Sequence, residues 1–247
     1  MRFIVMHKFG QVEKPEPTVD PKLIDAMHAL IGTSIKEGVF ENGARLNPNF
    51  PRTRFVSSGG AVAIDAPPIT GRDELLAGFA MVEVKNEAEA HDVTRRYLKV
   101  VGDAQVEVGR VTEPWHLGVV PAPTEPVPEK YLLLHLADAK SEAATPPSAK
   151  EPQDMAALIS ELTTSRVLMT AEGVLPSKNG RRLHLRGGKQ SVVDGPFAES
   201  KELIGGFSII KLPSLDAATE WATRYAHILG PDIEVDVLQL HDVPAKA

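Results

Sequence analysis

The chain carries one plan twice, and the interval between the two statements is 128 residues, the distance from His7 to His135. Arg2-Phe3-Ile4-Val5-Met6-His7 is matched in character at every position by Lys130-Tyr131-Leu132-Leu133-Leu134-His135. The same interval carries Gly59-Gly60 onto Gly187-Gly188, and Glu74-Leu75-Leu76-Ala77-Gly78-Phe79 onto Glu202-Leu203-Ile204-Gly205-Gly206-Phe207. It also carries Arg96-Tyr97 onto Arg224-Tyr225. After Gly102 and Gly230 the second copy has one extra residue, Pro231, and then Asp103 to Val108 aligns with Asp232 to Val237. A register held over so many segments marks a duplicated structural unit, and each unit has ordinary domain size, about 100 residues. The expected organisation is a domain over 1–113, a linker over 114–128 and a second domain over 129–244. Pro121, Pro123 and Pro126 make that linker a semi-rigid, extended tether.

Each copy opens with a short apolar run that reads as a buried strand. A helix follows: Leu23, Met27, Leu30 and Ile31 behind Asp20-Pro21 in copy one, and Met155, Leu158, Ile159 and Leu162 in copy two. A second strand is expected at Gly38-Val39-Phe40 and at Val167-Leu168-Met169. Arg181 to Val193 reads as a hairpin about Gly187-Gly188, because two glycines supply the positive φ of a tight turn. A strand over 207–212, a helix from Ser214 (Asn86 in copy one) and a strand over 233–240 complete the copy. The order β-α-β, hairpin, β-α-β is the ferredoxin-like plan, an α+β fold with helices on one face of an antiparallel sheet. Strands such as Leu132-Leu133-Leu134 are apolar on both sides, so the helix-free face needs a cover. The other copy supplies one, and the tether makes that pairing intramolecular at an effective concentration of order mM. Two polar, Pro-bearing stretches after the first strands, Gln11 to Pro21 and Ala139 to Pro152, are candidate lids or binding loops, with ordinary surface disorder as the alternative.

The remaining composition narrows the function classes. With 43% hydrophobic and 24% charged residues the chain can bury a real core. A net charge of -6 lacks the basic footprint of a nucleic-acid binder. The first apolar run ends at His7 and Lys8, too soon for a leader or a membrane span. Zero cysteines leave neither disulfides nor thiolate metal sites, and a cytoplasmic setting is the expectation.

Asp194-Gly195-Pro196-Phe197, the acidic stretch through Ala198, Glu199, Ser200, Lys201 and Glu202, and Gly205-Gly206-Phe207 resemble the DGPF signature of the YCII-related family. The opening residues and the Gly-rich hairpin are similar to that family too, so the resemblance spans both copies. Copy two is the closer; copy one has Asp65-Ala66-Pro67-Pro68 in place of the signature. The resemblance implies a dimeric α+β barrel, two ferredoxin-like sheets face to face, here as a pseudo-dimer within one chain with further dimerisation left open. It also implies a His and Asp pair as candidate chemistry.

His7 and His135 occupy one position in two copies, at the end of an interior strand, and each shares a face with residues two and four positions earlier. An imidazole there can act as acid or base, or can simply satisfy a nearby carbonyl. Asp194 can orient such a His, or bond its own turn backbone. Arg182, His184 and Arg186 form a row on one hairpin face that could receive an anionic substrate, with Tyr131 beside His135; a solvated strand face is the alternative. Phosphate-binding loops, metal-binding helices and Gly-x-Ser-x-Gly elbows are absent, and the eight histidines show no metal-ligand spacing. The function expected is a cofactor-independent enzyme acting on a small polar or acidic metabolite through His135, His7 and Asp194. The alternative is a non-catalytic ligand-binding or regulatory module. Because copy two keeps the signature and His184, its pocket is expected to be the working one.

Overall fold

The computed structural model describes residues 1–8, 10, 20–65, 67–71, 74–197 and 202–241. The first half supplies β1 (Arg2–Lys8), α1 (Pro21–Lys36), β2 (Phe40–Arg45), β3 (Thr53–Ser58), β4 (Ala61–Asp65), β5 (Leu76–Val84), α2 (Glu87–Val101) and β6 (Ala104–Arg110). The second supplies β7 (Glu129–Leu136), the single turn α3 (Ala139–Glu142), α4 (Glu151–Thr164), β8 (Leu168–Gly173), β9 (Arg181–Arg186), β10 (Lys189–Asp194), β11 (Ile204–Lys211), α5 (Leu215–Leu229) and β12 (Ile233–Gln239). The expected element order holds in both copies. Local chemistry explains the ends: Asp20 caps α1 by accepting from the Lys22 amide at 2.9 Å, with Pro21 as first helical residue. Gly59-Gly60 and Gly187-Gly188 turn their hairpins with φ of 57° and 83°, and 55° and 76°. Both second strands begin later than expected, at Phe40 and Leu168, because the residues before them close the preceding helix: the Val39 amide donates to the Ser34 carbonyl and that of Val167 to Leu162.

The strands assort across the repeats. One six-stranded antiparallel sheet runs β10-β9-β12-β1-β11-β2, and the other β4-β3-β6-β7-β5-β8. Each sheet therefore takes its hairpin and last two strands from one copy and its first two strands from the other. Within each sheet the order is last, first, third, second, consistent with the ferredoxin-like plan, but the β-α-β unit is exchanged. The helices follow their strands, so α1 packs beside α5 and α4 beside α2.

Alternation along the strands divides the core in three. Phe3 and Val5 pack with Trp221, Tyr225 and Val235 under the helices of the first sheet; Tyr131 and Leu133 pack with Phe55, Val82 and Leu98 under those of the second. Ile4, Met6, Leu132, Leu134, Phe79 and Phe207 form the third cluster, shared by both sheets, with the two phenyl rings 4.5 Å apart. The helix-free faces thus cover one another, which removes about 25 cal/mol of unfavourable hydration per Å² of apolar surface. The sheets also touch at their edges: Leu46, beyond β2, bridges to Val111, beyond β6, and Val174, beyond β8, bridges to Leu240, beyond β12.

The loops depart from expectation in three places. The 139–152 stretch holds α3, whose Glu142 carboxylate accepts from the Ser177 amide at 3.1 Å; residues 11–19 lie outside the described residues. The tether begins not as extended chain but as a 3-10 turn over Pro114–Leu117, because His116 Nδ1 accepts from the Glu113 amide at 2.9 Å. Asp65 is not the counterpart of Asp194. Strand register opposes Asp65 to Arg54 and Val193 to the equivalent Arg182, so Asp194 answers to Ala66, outside the described residues.

Candidate functional site

His7 and His135 end their strands on the helix-facing side, where the exchange of units decides what each meets. The Tyr225 hydroxyl lies 2.7 Å from His7 Nδ1, and the Tyr97 hydroxyl lies 2.7 Å from His135 Nδ1. Each dyad takes its imidazole from one repeat and its phenol from the other. Opposite each His in the ladder stands a glycine, Gly206 for His7 and Gly78 for His135. A Cβ on Gly206 would lie 2.8 Å from His7 Cε1 and 2.5 Å from the Ala44 carbonyl, which is why that position carries no side chain.

Each dyad borders a cleft between sheet and helices. The His7 cleft, about 600 Å³, is bounded by α1, β2, β11 and α5, and its polar lining includes Arg45, Ser208, Asp20 and Asp232. The His135 cleft, about 250 Å³, is bounded by α4, β5 and β8 and is lined mainly by apolar side chains, with Tyr97, His135 and Glu172 as its polar ones. Burial holds His7 neutral, and the positive charges of Arg45 and Arg52 add to it, drawing its pKa from 6.5 to about 3. Burial pushes the Tyr225 hydroxyl above its ordinary value, although a bond from Ser208 opposes the shift. His135 is lowered by burial, with Asp138 pulling the other way, and burial raises Tyr97. Both pairs are neutral at physiological pH. Each Tyr–His bond couples the tautomer of the histidine to the direction of the phenol O–H.

The other expected site residues lie elsewhere. Asp194 sits on β10, the edge of the first sheet, with its side chain 79% exposed and accepting from Arg181 Nε at 2.8 Å. His135 belongs to the second sheet, so the two do not share a pocket. The hairpin row is ion-paired with carboxylates, buried at Arg182 and open to solvent at Arg186. Arg182 grips Asp236 with bonds of 2.6 and 2.9 Å and lies 4.5 Å over the Phe197 ring. His184 Nδ1 is 3.5 Å from Glu234, and Arg186 pairs with Glu202. Buried Lys8 completes the network, 2.6 Å from Asp236 and 3.1 Å from Glu234. Burial alone would raise Asp236, but Lys8 and Arg182 outweigh it and hold the carboxyl below the usual range. In the other sheet Arg54 pairs with Glu107 and, at 3.0 Å, with Glu74. Tyr131 is buried and donates to Glu129 at 2.5 Å. It belongs to the core above β7, not to the cleft lining.

Tyr97, Tyr225, Arg45 and Ser208 were not legible as site residues. The signal that could have found the tyrosines is the repeat itself, since it preserves Tyr97 and Tyr225 together with His7 and His135. Among the described residues no group of three or more His, Asp or Glu side chains is placed to hold a metal ion, and no helix is long and apolar enough to cross a membrane.

The Gly195-Pro196-Phe197 turn, its glycine pressed against the Ser177 carbonyl, stands after a Gly-Gly hairpin and before Gly205-Gly206-Phe207. Residues 130–228 are a YCII-related domain. No curated protein and no solved structure gave a match. The YCII-related segment runs from β7 into α5, so it is split between the two sheets. It holds one member of each dyad, His135 and Tyr225, and residues 1–129 provide the partners.

Proposed function

We propose that this chain is a one-chain form of a dimeric α+β barrel, closed where β2 and β8 run on into the opposite sheet, and that its His7 cleft takes a small polar or acidic metabolite. His7 and Tyr225 serve as the acid–base pair, with no cofactor and in a cytoplasmic setting. The observation that carries this reading is the His–Tyr bond, 2.7 Å in both halves and each time at a cleft. Arg45, one of the two cations that depress His7, lines the cleft and is the charge that would attract an anion. A carboxylate bound there would offset its field and raise His7 toward a useful pKa. Tyr225 would fix the imidazole tautomer, and Ser208 would orient the phenol. His135 with Tyr97 is the second dyad, and Asp194 is a turn residue.

The test is calorimetric titration with a panel of small hydroxy- and keto-acids, followed by assay for turnover. The expected result is binding at one site, lost in His7→Ala and weakened about five-fold in Tyr225→Phe, the worth of one hydrogen bond. Binding that survives His7→Ala would refute the assignment. One observation favours the non-catalytic reading: an imidazole at about 3 is a weak base in the empty protein. Saturable binding with no turnover of any bound acid would establish that alternative.

A further inference from the structure

The geometry of the second cleft points to a separate site: we infer that the His135 cavity binds a small uncharged aromatic or alicyclic molecule carrying one hydroxyl or carbonyl group. This does not rest on the reading of the His7 cleft. Two replacements separate the cavities. Where the His7 cleft has Arg45, the equivalent ladder position opposite Gly78 is Gly173; where it has Ser208, the equivalent is Ala80. Among the described residues the wall contains no lysine or arginine. Its one carboxylate, Glu172, is held by Arg2 through bonds of 3.0 and 2.7 Å. The rest is Phe79, Val82, Leu133, Leu158, Leu162 and neighbouring apolar groups.

An anion placed here would lose its hydration and meet no cation, so the wall selects against charge. An apolar body is favoured, and an apolar cavity of about 150 Å³ is enough for benzene. With about 250 Å³ this cavity has room for a ring with substituents. The polar handle is supplied by His135, partly buried and fixed by Tyr97, which gives the ligand's single hydroxyl or carbonyl a defined partner. Ala171, on edge strand β8, and Ile159, on α4, are exposed at the rim and mark the way in.

The experiment uses the full chain and 4-fluorophenol as probe, followed by fluorine NMR, with fluorobenzene and 4-fluorobenzoate as controls. Saturable one-site binding of the phenol, with NOEs to the methyl groups of Leu158 and Leu162, is expected in the wild type and in His7→Ala. Ala171→Trp, which plugs the rim, should weaken it at least ten-fold, and His135→Phe should cut the preference for fluorophenol over fluorobenzene about five-fold. Benzoate binding as tight as phenol would overturn the ligand class. Absence of the NOEs, or binding unchanged in a folded Ala171→Trp, would overturn the site. Should Ala171→Trp fail to fold, the wild-type NOEs and the His135→Phe preference still decide.

Discussion

The His7 and His135 halves share a backbone plan, a dyad and a glycine beneath each imidazole, yet they enclose different chemistry. In the first, Arg45 and Ser208 line the cleft; in the second, Gly173 and Ala80 stand in those places. The first cleft is therefore wider and carries more charged and polar groups, the second smaller and without a cation. The family match lies within residues 130–228, but the cleft lined by Arg45 and Ser208 is the one whose histidine comes from outside them. The reason is the exchange of β-α-β units: it puts the β9-β10 hairpin into the sheet of His7. A chain with two such halves can thus keep one scaffold and hold two different sites, because each wall is encoded once for each half.

The strongest test of the comparison is to separate the repeats. Both sheets draw strands from both halves, so in this arrangement neither half completes a sheet by itself. Cleavage of the tether between Pro121 and Pro128 should leave a compact, associated complex. Either fragment purified alone in denaturant and diluted should stay unfolded by circular dichroism, and mixing should restore the native spectrum. A fragment that folds alone as a monomer would show that the units need not exchange.

Next in size is the glycine beneath each imidazole. A Cβ at Gly206 would meet the Ala44 carbonyl at 2.5 Å, His7 Cε1 at 2.8 Å and Arg45 Cα at 2.9 Å, whereas at Gly78 the nearest atom is the Glu172 carbonyl at 3.0 Å. Gly206→Ala should cost about 3 kcal/mol in urea denaturation and Gly78→Ala about 1 kcal/mol. Equal costs would mean that the two imidazoles are seated alike.

The smallest contrast is in pH. In the unfolded chain both histidines titrate near 6.5, while folded His7 titrates near 3. Stability from keeping His7 neutral is complete above 6.5 and is lost as pH falls from 6.5 toward 3, at about 1.4 kcal/mol per pH unit. His7→Gln should remove that slope relative to wild type between pH 6 and 4.5. His135 is lowered in the same direction by burial, but Asp138 opposes the shift and no cation aids it, so His135→Gln should flatten a narrower window. A larger effect at His135 would reverse the ranking of the two sites.

Much of this molecule is written locally. The repeat, the element order, the Gly-Gly turns, the Asp20 cap and the face on which His7 and His135 lie follow from alternation, spacing and turn chemistry, all of which act over a few residues. Partner choice does not. Because the copies share one hydrophobic pattern, β1 is as compatible with β5 and β6 as with β11 and β12, and local propensity is indifferent between a copy folded on itself and one exchanged. The tertiary structure made that choice, and with it decided that His7 meets Tyr225, that Asp194 and His135 lie in different sheets, and that Arg182 meets Asp236 instead of solvent. Strand registry and burial set these contacts between residues far apart in the chain, and no short stretch of sequence encodes them.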